Sequence, residues 1–185
     1  MAKYSQEQVA RMVADVPFWG QSIPLPPGIV TPGRVMPNLK IWPRLGLDEN
    51  LKGKRVLDIG TWDGFYAFEA EKRGAEVVAI DNCMRMQKPN EKQFGVIGNK
   101  GFETAKEILG SHVRYVDMSV YDISPAKIGC FDITLCLGLL YHLKHPLLAL
   151  EKISAITNNM IIIETAWLRT FSRLQIGRAS CWERV

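Results

Sequence analysis

Apolar residues gather in short runs, at 56–59 broken only by Asp58, at 77–80, from Phe131 to Leu137 with Asp132 and Thr134 inside it, and at 161–163. Runs of this length and composition predict strands covered on both faces. Val113, Tyr115, Val116 and Asp117 supply a further, shorter strand. Between the runs the spacing turns helical. Phe65, Phe68 and Ala70 form one apolar face, Lys100 to Leu109 carries a second helix, and Leu147, Leu148, Leu150, Ile153 and Ile156 a third. Strands alternating with helices predict an α/β fold with a doubly wound, mostly parallel sheet. Ahead of it, Ser5 to Val16 predicts a short helix capped by Ser5, with Val9, Met12, Val13 and Val16 on one face. From Pro17 to Pro43, proline and glycine exclude regular structure over much of the length. Trp19, Ile23, Leu25, Ile29 and Trp42 anchor that stretch as an ordered arm.

The chemistry lies where the first core strand turns into its helix. Asp58 interrupts an apolar run, so it needs a partner and belongs at the strand's carboxyl end, facing the turn. Gly60 and Gly64 permit a sharp bend and a close backbone approach to a ligand. Asp63 is expected to cap the following helix, which Gly74 closes after Lys72 and Arg73. The next strand ends at Asp81, about 20 residues past the turn, the reach of a carboxylate that accepts from both ribose hydroxyls. Strand, glycine turn, helix and acid together point to an adenosine-containing cofactor. A dinucleotide fingerprint requires glycine at the first, third and sixth positions, so that pyrophosphate can rest on the helix start. Here those positions hold Gly60, Trp62 and Phe65.

On these residues the chain resembles the class I S-adenosylmethionine-dependent methyltransferases. Asp58, Gly60 and Gly64 match their first motif, with Thr61 in the same turn and Trp62 replacing the middle glycine. Asp81 matches the ribose-binding acid, with Asn82 beside it. Met118, Ser119 and Val120 fall where the family holds adenine, Asp117 being the alternative partner for its amino group. The block from Phe131 to Pro146, with Leu-Tyr-His-Leu-Lys-His-Pro after Gly138, is similar to the branch containing bacterial tRNA wobble-uridine carboxymethyltransferases. The resemblance implies a Rossmann-like core limited here to strands one to five, with an unpaired edge along Met160 to Thr165. It implies S-adenosyl-L-methionine as cofactor, Leu137 beside it, and an arm laid over it. Tyr141 is expected to orient the acceptor, and His142 either to touch it or to pack beneath the loop. Trp19 and Thr31 are expected either to line the acceptor pocket or to serve packing. His142 and His145 stand three apart, as two metal ligands on one helix face would, but His112 is the only other histidine and no metal is expected.

Composition adds bounds. With 47% hydrophobic and 23% charged residues, 185 residues suffice for one globular core. A net charge of +4 permits RNA contact without arguing for it, so the acceptor stays open between a small molecule and RNA. Cys83, Cys130, Cys136 and Cys181 lack disulfide-framework spacing and read as reduced thiols. No run reaches membrane-spanning or signal-peptide length, and a cytoplasmic protein is expected. The expected divisions are an arm (1–50), a core (51–175) and a non-native tail (176–185) that resembles a translated sequencing adapter. Met84 to Gly98 reads as a polar connection. The functional expectation is methyl transfer; the alternatives are a non-catalytic adenosine-ligand binding module and, third, a nicotinamide-dependent oxidoreductase.

Overall fold

A computed structural model describes residues 3–33, 42, 44–82 and 98–166. Five strands form one parallel sheet: β3 (Arg55–Ile59), β4 (Glu76–Asp81), β5 (Arg114–Asp117), β6 (Phe131–Leu137) and β7 (Thr157–Glu164). Their order is β5-β4-β3-β6-β7, so the chain starts in the middle, winds to one edge and returns to build the other. That reversal opens a crevice beyond the carboxyl ends of β3 and its neighbours, where doubly wound sheets bind ligands. Register places Asp58 opposite Ala79 and Leu135, and Asp81 opposite Asp117.

Helices cover both faces. On one, α1 (Gln6–Ala14), α2 (Phe65–Lys72) and α3 (Lys100–Leu109) pack with Trp19, Trp42, Val56, Val77 and Leu135. On the other, the short α4 (Pro125–Ile128) and α5 (Pro146–Ser154) cover Leu57, Val78, Ile80 and Cys136. The helix start at Ser5 is as expected: Ser5 Oγ accepts from Gln8 N, and Gln8 returns a bond to Ser5 N.

One expectation, at Leu147 and Leu148, changes. The proline-rich arm carries only a two-residue antiparallel pair among its described residues, β1 (Pro24–Leu25) with β2 (Ile29–Val30), in which Pro24 stands opposite Val30 while Pro26 and Pro27 occupy the turn. Leu147 and Leu148 do not face the core; they are 75% and 40% exposed, and Ala149, Ile153 and Ile156 fill it instead. Pro146 starts α5 and sets the helix phase so that Leu147 and Leu148 fall outside the buried stripe. The outer strand β7 leaves Met160 and Ile163 partly open along the edge expected to be unpaired. Cys83, Cys181, the tail at 176–185 and, Gly98 excepted, the connection at 84–98 lie outside the described residues. Among the described residues no helix is long and apolar enough to cross a membrane.

Candidate cofactor and acceptor site

The glycine turn ties two acids together. Asp58 is buried near the end of β3, and its Oδ2 accepts from Thr61 Oγ1 at 2.7 Å. Burial pushes its carboxyl up to about 7 against the opposing Thr61 bond, and the Asp81 charge adds to the rise. Gly60 N and Thr61 N both donate to Ile80 O, at 2.9 and 3.2 Å, which folds the turn onto the end of β4. Trp62 N then donates to Asp81 Oδ2 at 2.9 Å, and Asn82 N to Asp81 Oδ1 at 2.7 Å. Asp81 is also pushed up, first by burial, against those two amide bonds, with Asp117 adding repulsion.

Gly64 is the turn's steric pivot. Its φ is +94°, and a Cβ there would come within 2.6 Å of the rings of both Phe68 and Phe102. Only glycine fits that position without displacing the two aromatics. Trp62 also takes a positive φ, +54°, and stacks on Phe18 with ring centroids 6.2 Å apart. A Cβ on Gly20 would overlap the Trp62 indole, so the arm lies flat against the turn.

The arm does what Asp63 was expected to do. Gly64, not Asp63, is the N-cap residue of α2, and its missing side chain offers no cap. The carbonyl Oε1 of Gln21 instead accepts from Phe65 N at 3.0 Å, capping the helix from 44 residues away. Asp63 turns the other way, its Oδ2 accepting from Gly20 N and Gln21 N, each at 2.7 Å. Burial raises its carboxyl to about 6 despite these bonds. Trp19 and Thr31 serve this architecture. Trp19 is buried and donates its indole N–H to Val13 O at 3.0 Å. Thr31 Oγ1 donates to Gln21 O at 2.7 Å and accepts from Ile23 N at 2.8 Å. Neither offers an open face to an acceptor, because core packing and backbone bonds have claimed both side chains.

Beyond β5, Met118 N donates to Asp81 O at 2.9 Å, which brings this segment alongside the acid. Ser119 Oγ accepts from Tyr121 N and caps the 3-10 turn Val120–Asp122; Val120 is buried and Met118 packs beside it. Asp117 is exposed at the tip of β5. Leu137 ends β6, and Gly138 follows with φ +75°. The 3-10 turn Leu140–His142 then carries Tyr141, 50% exposed, with its ring 4.1 Å from that of His142. Burial and Glu164 push the Tyr141 phenol up, while burial lowers His142.

His142 and His145 do not share a helix face. His142 belongs to the 3-10 turn and His145 sits ahead of α5, where its backbone N–H donates to the Tyr121 hydroxyl at 3.0 Å. Among the described residues no group of three histidines, cysteines or acids could hold a metal.

The site therefore gathers Asp58, Gly60, Thr61, Gly64, Asp81 and Asn82 at one bend, with Met118, Ser119, Val120 beyond β5. Asp58, Asp81 and Asp117 lie at or next to the ends of three adjacent strands; burial is the main cause that raises Asp58 and Asp81, with repulsion from Asp81 and Asp117 respectively adding to it. Gln21, Asp63, Tyr66 and Glu164 were missed as site residues. Glutamine in an irregular arm has no local signature. Asp63 lies in the glycine turn, Tyr66 in the helix after it and Glu164 on the edge strand, and each shows its partners only in three dimensions.

Residues 57–159 match the family model described as a methyltransferase domain. A tRNA U34 carboxymethyltransferase from Helicobacter pylori (strain G27) is 33% identical over 102 residues, which is 55% of this chain and 35% of that protein. A ubiquinone biosynthesis O-methyltransferase from Dechloromonas aromatica (strain RCB) is 35% identical over 97 residues, covering 52% of this chain and 37% of that one. The match thus spans little more than a third of the length of these curated relatives. Among solved structures, the N-terminal domain of EvdMO1 with SAH bound superposes with a TM-score of 0.65 at 18% identity, covering 85% of this chain and 65% of that chain. Magnesium protoporphyrin IX methyltransferase (ChlM) from Synechocystis PCC 6803 gives 0.52 at 18% identity, over 67% and 54%. These two likenesses concern the fold. Because the family model runs from the end of β3 through both acids and the glycine turn to β7, over more than half of the residues, this chain belongs to the methyltransferase domain family.

Proposed function

We propose that this chain binds S-adenosylmethionine and transfers its methyl group to an acceptor at the carboxyl end of β6. The observation that carries this reading is the pairing of Asp58 and Asp81 through one glycine turn, by way of Thr61 Oγ1 and Trp62 N. Carboxylates at three adjacent strand tips favour a cationic ligand and oppose a pyrophosphate. Trp62 and Phe65 also occupy places where a dinucleotide fingerprint needs glycine. The acids suit the amino and ribose groups of a sulfonium nucleoside, and Leu139 borders Gly60, its side chain 3.3 Å from the place of a Cβ. Asp58 then serves the methionine end, Asp81 with Asn82 the ribose, and Met118, Ser119, Val120 and Leu137 the adenine side.

S-adenosylmethionine supplies an electrophilic methyl group on a positively charged sulfur. The chain's residues align the acceptor and exclude water, which contributes most where reacting partners must meet in line. Tyr141, kept protonated by burial and Glu164, acts as a hydrogen-bond donor. His142, whose lowered value leaves it neutral at pH 7, is the group able to take a proton. The relatives' names span tRNA U34 carboxymethylation and O-methylation in ubiquinone biosynthesis, so family membership does not choose between an RNA and a small-molecule acceptor.

Calorimetric titration with S-adenosylhomocysteine tests the reading. Wild type shows saturable binding, and Asp81→Ala weakens it by at least about tenfold, equivalent to about 1.4 kcal/mol. Absence of binding, or equal affinity in Asp81→Ala, rejects it. Transfer of label from the methyl group of S-adenosylmethionine to a metabolite or RNA pool separates an enzyme from a module that only retains the nucleoside.

A further inference from the structure

A second group of polar side chains converges at the carboxyl ends of β6 and β7, apart from the glycine turn. Glu164 ends β7 opposite Leu137, and its carbonyl accepts from Gly138 N at 3.0 Å. Above Gly138 the place of the missing side chain lies 3.5 Å from Tyr141 Oη and 3.6 Å from Glu164 Oε2. The phenol and the carboxylate therefore flank one glycine. Tyr66, in the first turn of α2, has its phenol pushed up by burial, then by Asp58 and by Glu164. The two tyrosines stay protonated, and Glu164 is exposed. Among the described residues, no lysine or arginine forms an ion pair with Glu164.

A carboxylate beside a phenol oxygen attracts a cation through its charge and offers it a second oxygen acceptor. An anionic group at the same place meets the Glu164 carboxylate. We propose that Glu164, with Tyr141, forms a cation-recognising mouth that seats a positively charged organic group, either the sulfonium of the cofactor or an ammonium group on the acceptor. The first source rests on the proposed cofactor; the second does not need it. Glu164 is a specificity residue here, and no covalent step is assigned to it.

The test uses the whole chain and Glu164→Gln, with Glu164→Ala as a second variant that removes the charge. One arm measures by calorimetry the affinity ratio of S-adenosylmethionine to S-adenosylhomocysteine, which differ by a methyl group and its charge. The other titrates tyramine and 4-ethylphenol, which differ mainly by an ammonium group, with and without S-adenosylhomocysteine. In wild type at least one ratio favours the cation, and both variants lower that ratio by about fivefold or more while affinity for the neutral partner stays within about twofold. The ratio that falls identifies the source of the cation. Two ratios unchanged in both variants overturn the mouth. A wild type that does not bind S-adenosylhomocysteine rejects the cofactor reading instead, and the tyramine arm on the free protein still decides the mouth.

Discussion

Replacing Asp63 tests the joint between the arm and the glycine turn. Its carboxylate is buried, receives two amide bonds of 2.7 Å from Gly20 and Gln21, and lies where a Cβ on Gly101 of α3 would fall. Burial lifts its carboxyl from 3.8 to about 6. A raised acid contributes stability that is fully present below its unfolded value and is lost as pH rises through the folded one. Asp63 thus costs the folded state about 3 kcal/mol at neutral pH relative to strong acid, and about 1.4 kcal/mol of that accrues between about pH 5 and 7.5. Asp63→Asn keeps an oxygen for the two amides and removes the titration. Urea unfolding at the two pH values should show wild type losing about 1.4 kcal/mol more than Asp63→Asn on going to the higher pH. Asp58 and Asp81 titrate in both proteins, so the comparison removes most of their contribution. Asp63→Ala leaves two buried amides without an acceptor, at about 1–3 kcal/mol each while the arm stays docked. Undocking of the arm caps that loss and exposes Trp62, which red-shifts its fluorescence. Identical pH dependence in wild type and Asp63→Asn, together with an unaltered Asp63→Ala, would refute a buried carboxylate holding the arm.

Gly64→Ala should lower stability by about 2–4 kcal/mol, since it combines an unfavourable φ of +94° with a 2.6 Å approach to Phe68 and Phe102; thermal unfolding measures it. Gln21→Ala should cost about 1 kcal/mol by removing the distant cap of α2, and an unchanged midpoint in urea unfolding would contradict the assignment. In the proposed function Asp58 takes the ligand's ammonium group when ionised, so affinity for S-adenosylhomocysteine should rise with pH through about 7 and then level, a trend that calorimetry in the Asp58→Asn variant should abolish.

Much of the core was legible in the residue order. Predominantly apolar runs have one stable fate in an α/β chain, burial between two helical layers, and this predicts β3, β4, β6 and β7 with their parallel pairing. An acid inside an apolar run has to reach a polar partner, so Asp58 at the bend follows from burial energetics alone; Asp81, at the end of the next strand, follows from its distance past the turn. What periodicity could not supply was the partner of each polar group over long sequence separation. Asp63 and Gln21 stand 42 residues apart, and only the docking of the arm shows that one holds the backbone of Gly20 and Gln21 while the other caps α2. The same is true of Glu164, an ordinary strand-end acid in sequence, which meets Tyr141 across Gly138 because β6 and β7 run side by side. Local sequence determines which segments bury their side chains, since that depends on composition and spacing within a few residues. The tertiary structure alone decides which acids share a crevice, because electrostatic and hydrogen-bond partners are set by distance in space.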